Sequence, residues 1–79
     1  MSANTRHVLQ SRDIFNWYTQ QHIVAACGLN SSGRMKYLVL DAFNNRWDVK
    51  NTDAEGLTYQ VFSTREQDWD GAVQFYNTL

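Results

Sequence analysis

Two groups of residues carry side chains able to do chemistry: His22 with Cys27, and Asp41 with Asp48. Carboxylates held close together raise one another's pKa, and a neighbouring carboxylate raises a histidine's, so a His22, Asp41, Asp48 row could move protons or hold a divalent cation. A cysteine beside a histidine has the residue types of an activated nucleophile. Neither group has the spacing such chemistry normally shows. No two ligands fall at a metal-motif interval, and the open sheet face expected to carry His22, Asp41 and Asp48 has no cleft to exclude water. Cys27 falls in an apolar run and is expected as an inert core filler. His7 stands alone. Glu66, Asp68 and Asp70 open a helical stretch, where negative charge suits the helix dipole. The expectation is a non-enzymatic chain without cofactor or metal.

The positioning elements follow from periodicity. Ser11 is a good N-cap, Asp13 sits in the first turn, and Ile14, Phe15, Trp17 and Tyr18 recur at helical spacing, which predicts a helix over Arg12–Gln21. Ile23 and Val24 are β-branched in an apolar run, so residues 22–27 read as a strand, although a helix running on to Gly28 fits the same letters. Asn30-Ser31-Ser32-Gly33 is turn material before a strand over Met35–Phe43. Asn44-Asn45 then suits a two-residue hairpin turn into Arg46–Asn51, and Thr52–Gly56 leads to Leu57–Phe62. Ser63 and Thr64 each begin a capping-box pattern, ending in Glu66 and Gln67. Trp69, Ala72, Val73, Tyr76 and Leu79 form an apolar helical stripe with Phe75 at its margin. Gly71 costs that helix about 1 kcal/mol relative to Ala and is expected to let it approach the sheet. The order is α-β-β-β-β-α in one domain, residues 1–79. The fold class is α+β: a two-layer sandwich of a four-stranded antiparallel sheet with an N-terminal and a C-terminal helix.

Pairing Phe43 with Arg46 across the Asn-Asn turn sets Leu38, Leu40, Ala42, Trp47 and Val49 on one apolar face. Leu29 opposite Arg34 adds Ile23, Ala25 and Cys27 to it, and Asn51 opposite Leu57 adds Tyr59 and Val61. The other face then presents Tyr37, Asp41, Phe43, Arg46, Asp48 and Lys50, with Phe62 beyond. Asp41 would lie opposite Asp48, an unfavourable pair that Arg46 and Lys50 compensate.

Seventy-nine residues with three Trp, four Tyr and four Phe form a small domain whose aromatics supplement a limited core, leaving some for a partner. A single cysteine excludes a disulfide framework and reads as cytoplasmic. The longest apolar run, Ile23–Cys27, is far short of the ~20 residues of a membrane span, and no secretory leader is visible. Net charge is −1, but residues 1–40 carry four cationic side chains against one acid, and residues 41–79 carry three against seven. Such a balance gives no general drive toward nucleic acid or membrane.

The stretches Met35–Phe43 and Leu57–Leu79 resemble the strand, strand, capped-helix ending of many tiny proteins encoded by phages and mobile elements, anti-CRISPR proteins among them. That resemblance is one of size and element order. It implies a chain that sticks to a host complex and blocks it, and it assigns no functional residue. An excess of four negative charges in the second half copies a phosphate track poorly, so steric blocking is implied rather than nucleic-acid mimicry. From the residues themselves, Tyr37, Asp41, Phe43, Arg46, Asp48 and Lys50 combine aromatic, arginine and mixed charge as protein interfaces do. The expected function is protein binding, with a host protein complex as partner. A nucleic-acid-binding regulator stacking bases on the same face is the alternative. Edge strands are also open to a second copy, giving a homodimer.

Overall fold

A computed structural model describes residues 6–10 and 24–79, with side chains from 26 onward in the second stretch. Four strands, β1 (Val24–Leu29), β2 (Met35–Asp41), β3 (Arg46–Thr52) and β4 (Thr58–Arg65), form one antiparallel meander in the order β1-β2-β3-β4. Helix α1 (Trp69–Thr78) follows and packs on one face. The expected α+β class and antiparallel sheet are present with the C-terminal helix. The helix expected over Arg12–Gln21 lies outside the described residues, as do His22 and Ile23.

Three turns set the register, and two share one design. Asn30 donates its N–H to the Arg34 carbonyl at 2.7 Å, and its own carbonyl accepts from Gly33 at 3.0 Å. Its carboxamide oxygen accepts from the N–H groups of Ser32 and Arg34, each at 2.9 Å. Asp53 repeats the pattern: N–H to Leu57 at 2.9 Å, carbonyl from Gly56 at 3.0 Å, carboxylate from Glu55 and Leu57. Gly33 and Gly56 take φ of 78° and 86°, the left-handed conformation that closes a three-residue loop and costs glycine nothing. An Asx three residues before a glycine is thus the signal for both outer hairpins.

These turns correct each expected pairing. Leu29 faces Met35 rather than Arg34, a one-residue slip that turns Ala26 inward beside Leu38 and Cys27 outward beside Tyr37. Cys27 is therefore exposed, not a core filler. An irregularity between Val24 and Ala26 restores Val24 opposite Val39, and the side chain of Ala25 lies outside the described residues. In the central hairpin Asp41, not Phe43, faces Arg46. The loop holds four residues, Ala42–Asn45, because Asn45 alone takes a positive φ, 55°, where the expected two-residue turn needs two. A shift of two residues preserves which face each side chain takes, so Leu38, Leu40, Trp47 and Val49 still point together; Ala42 moves into the exposed loop. Asn51 faces Tyr59 rather than Leu57, and a bulge between Val49 and Lys50 brings Phe62 opposite Val49. Phe62 thereby changes face and stacks on Phe75 of α1, ring centroids 4.5 Å apart. Tyr59, expected in the core, sits on the edge strand and is 46% exposed.

The core comprises Leu9, Ala26, Leu38, Trp47, Val49, Ala72, Val73 and Tyr76, with Leu40, Val61, Phe62, Trp69, Phe75 and Leu79 packed around it. Each fully buried Val or Leu there stabilises the fold by roughly 1.5–3 kcal/mol. The helical stripe read from the sequence is the face that α1 buries. Its start differs: Ser63 and Thr64 continue β4, and Asp68 is the N-cap, accepting from the Gly71 N–H. The Thr64 hydroxyl donates to the same carboxylate at 2.7 Å. A Cβ on Gly71 would run into that carboxylate, so its missing side chain makes room for the cap rather than for the sheet.

Candidate binding surface

The face of the sheet turned away from α1 carries three rows: Asp41, Arg46 and Arg65; then Val39, Asp48 and Ser63; then Cys27, Tyr37, Lys50 and Gln60. Five of the six residues expected on this face, Tyr37, Asp41, Arg46, Asp48 and Lys50, are on it. Phe43 is instead at the tip of the central hairpin, 94% exposed.

The expected contact between Asp41 and Asp48 is absent, because the wider loop puts Arg46 between them. Arg46 Nε lies 3.0 Å from Asp48 Oδ1, and its Nη2 lies 3.6 Å from Asp41 Oδ2. Asp48 is buried, whereas Arg46 is nearly half exposed. The Nε and Oδ1 atoms meet as an ion pair without hydrogen-bond alignment, and among the described residues neither has a hydrogen-bond partner. A buried carboxylate of this kind is costly unless paired, and Arg46 supplies the pairing charge. No group of three or more metal-binding side chains is assembled among the described residues.

Asp41 has a second task. Its Oδ2 accepts from the Asn44 side-chain amide at 2.9 Å and its Oδ1 from the Asn44 N–H at 3.2 Å. The Asn44 side chain first, then its backbone N–H, with smaller help from Arg46 and the Phe43 N–H, holds the carboxyl below its ordinary range. At the far end of the loop the Asn45 carbonyl accepts from Glu66 N–H at 2.9 Å, and Trp47 Nε1 donates to the Glu66 carbonyl at 2.9 Å. The tip is thus tied at both ends, and Phe43 is presented on a pre-shaped loop. Arg65, exposed and directly across from Arg46, adds a cation to that end of the sheet.

A second polar cluster went unread in the sequence. Lys36 is fully buried; its ammonium donates to the Tyr76 carbonyl at 2.9 Å and lies 4.3 Å above the Tyr76 ring centroid. Burial, with a lesser push from Arg6, lowers its pKa to about 8, and burial raises that of Tyr76. The lysine satisfies a carbonyl in the last turn of α1, where positive charge suits the dipole. Its signal was available: Lys36, Leu38 and Leu40 alternate, so all three share the core face.

No family model, no curated protein and no solved structure matches this chain.

Proposed function

We propose that the chain is a non-enzymatic protein-binding module whose anchor is Phe43, with Arg46, Arg65, Lys50 and Tyr37 on the adjoining face. What carries the reading is one observation: an aromatic ring 94% exposed on a loop held at both ends by hydrogen bonds. Aromatic side chains are favoured interface anchors, and a loop already in its bound shape loses little entropy on docking. The ion-paired Arg46 offers the partly exposed edge of its guanidinium beside that anchor. Steric blocking of a host defence complex by a phage-borne chain is the specific form of the proposal, supported by chain size and element order alone.

The test compares proteins captured from host lysate by the wild type, by Phe43→Ala and by Gln74→Ala, the last on the exposed side of α1. A partner retained by Gln74→Ala and lost with Phe43→Ala supports the proposal. Capture indifferent to Phe43, together with single-stranded RNA binding that weakens steeply with salt, overturns it in favour of a nucleic-acid-binding regulator.

A further inference from the structure

The two edges of the sheet are finished differently. At β1 the His7 N–H donates to the Leu29 carbonyl at 3.0 Å and the His7 ring lies against Gly28, so residues 6–10 cover part of that edge. β4 is the other edge. Among the described residues no strand pairs with its outer side, and Thr58, Tyr59 and Gln60 are all exposed. Open edges are normally guarded by charge or proline, and the stretch Leu57–Val61 holds neither.

The turn before β4 fixes which backbone groups that edge offers. The Asp53 N–H donates to the Leu57 carbonyl and the Asp53 carboxylate accepts from the Leu57 N–H, each at 2.9 Å, so Leu57 turns both polar groups toward β3. That role alternates along an antiparallel ladder. Tyr59, opposite Asn51, therefore also bonds inward, while Thr58 and Gln60 aim N–H and carbonyl away from the sheet. Side chains alternate too, which puts Leu57, Tyr59 and Val61 on the face that α1 covers further in. Leu57 and Tyr59 are nonetheless 66% and 46% exposed.

We infer that two copies of this chain pair antiparallel through the outer edge of β4, about a two-fold axis at Tyr59, to make one continuous sheet of twice the width. That axis sets Thr58 of each copy opposite Gln60 of the other, so all their outward N–H and carbonyl groups are used. An axis at Thr58 would set Gln60 against the Gly56 turn, and an axis at Gln60 would set Thr58 against Phe62, beyond the bulge. The Tyr59 axis also lays Leu57 against Val61 of the second copy and Tyr59 against its own counterpart, closing the exposed apolar side chains into a seam. Exposed Arg65 comes alongside the turn of the second copy that carries Asp53 and Glu55, so opposite charges meet at both ends. The edge is thus complementary to its own reverse, as a two-fold interface requires, and it is separate from the Phe43 loop.

Pairing over so short a stretch falls below the ~1,200 Å² of a stable interface, so the dimer is expected to be weak and concentration-dependent. Sedimentation equilibrium of the full chain up to about 1 mM should show the mean mass rising from 9.2 kDa toward twice that value. Thr58→Pro removes an outward N–H without touching the ladder to β3, and should weaken association roughly thirtyfold. Oxidation in a Cys27→Ser background reads the register. Tyr59→Cys sets two cysteines about 4.5 Å apart across the axis, within disulfide reach, whereas Leu57→Cys leaves them roughly 13 Å apart along the strands. The first should form a covalent dimer about tenfold faster than the second. Should Thr58→Pro fail to fold, the two cysteine variants decide. Equal cross-linking of both, unaltered association of a folded Thr58→Pro, or a chain monomeric up to about 1 mM overturns the dimer, the last leaving the edge to an extended segment of another protein.

Discussion

Replacing Lys36 by methionine should erase an alkaline rise in stability. The unfolded chain keeps the lysine proton up to its ordinary value of 10.5, whereas the folded chain releases it near 8. Between those values the unfolded state binds more protons, so unfolding free energy rises with pH across the window. At about 1.4 kcal/mol per pKa unit, the wild type should gain about 2–3 kcal/mol between pH 7 and pH 10. Tyr76 works the other way. Its folded pKa is raised, so the stability it contributes is whole below its ordinary value of 10.0 and erodes above it. The wild-type curve should therefore crest near pH 10. Methionine fills the lysine's volume without a charge; the Tyr76 carbonyl keeps the Leu79 N–H at 3.2 Å and loses only the ammonium, at about 1 kcal/mol, set against the removed desolvation penalty. Lys36→Met should then match the wild type within ~1–2 kcal/mol at pH 7 and show no rise toward pH 10. Urea unfolding at pH 7, 8, 9 and 10 measures both curves. A wild-type curve flat over that range, or an equal rise in Lys36→Met, would show that the buried lysine does not carry the shift.

Two further outcomes follow from the geometry. Arg46→Ala leaves the Asp48 carboxylate buried without its ion pair, and should destabilise the fold by about 1–3 kcal/mol in urea unfolding, the exposed half of the arginine keeping the loss at the low end. Gly71→Ala gains up to ~1 kcal/mol of helix propensity, yet should come out destabilising because its Cβ displaces the Asp68 carboxylate from the helix N-terminus. A thermal midpoint raised by Gly71→Ala would refute that account of the cap.

The residues differ in what they disclosed beforehand. The β2–β3 faces were legible because alternation survives an even shift: Tyr37, Asp41, Arg46, Asp48 and Lys50 keep their face whether the loop has two residues or four. Cys27 and Phe62 were misplaced because an odd shift reverses a face, and both the Asn30 turn and the bulge beside Val49 introduce one. The Asn30 turn had a readable signal in its Asx-x-x-Gly spacing, repeated at Asp53. The bulge had none in any short window: the contacts it serves, Phe62 opposite Val49 of β3 and stacked on Phe75 of α1, lie far apart in the chain. The capping box at Ser63 and Thr64 was a sound local pattern that lost to the longer ladder β4 makes with β3.

By itself the sequence determined β2, β3 and β4, the buried stripe of the C-terminal helix and the parity of the central hairpin, while it left β1 open between strand and helix. Each rests on a period of about 2 or 3.6 residues, which is a local property of the chain. Only the tertiary structure decided that Arg46 parts the two aspartates, that Phe43 stands on a tied loop, and that His7 meets Tyr76 across most of the chain. Those contacts depend on where the strands stop relative to one another and on which groups must be satisfied once water is removed, and neither is written in any short window of residues.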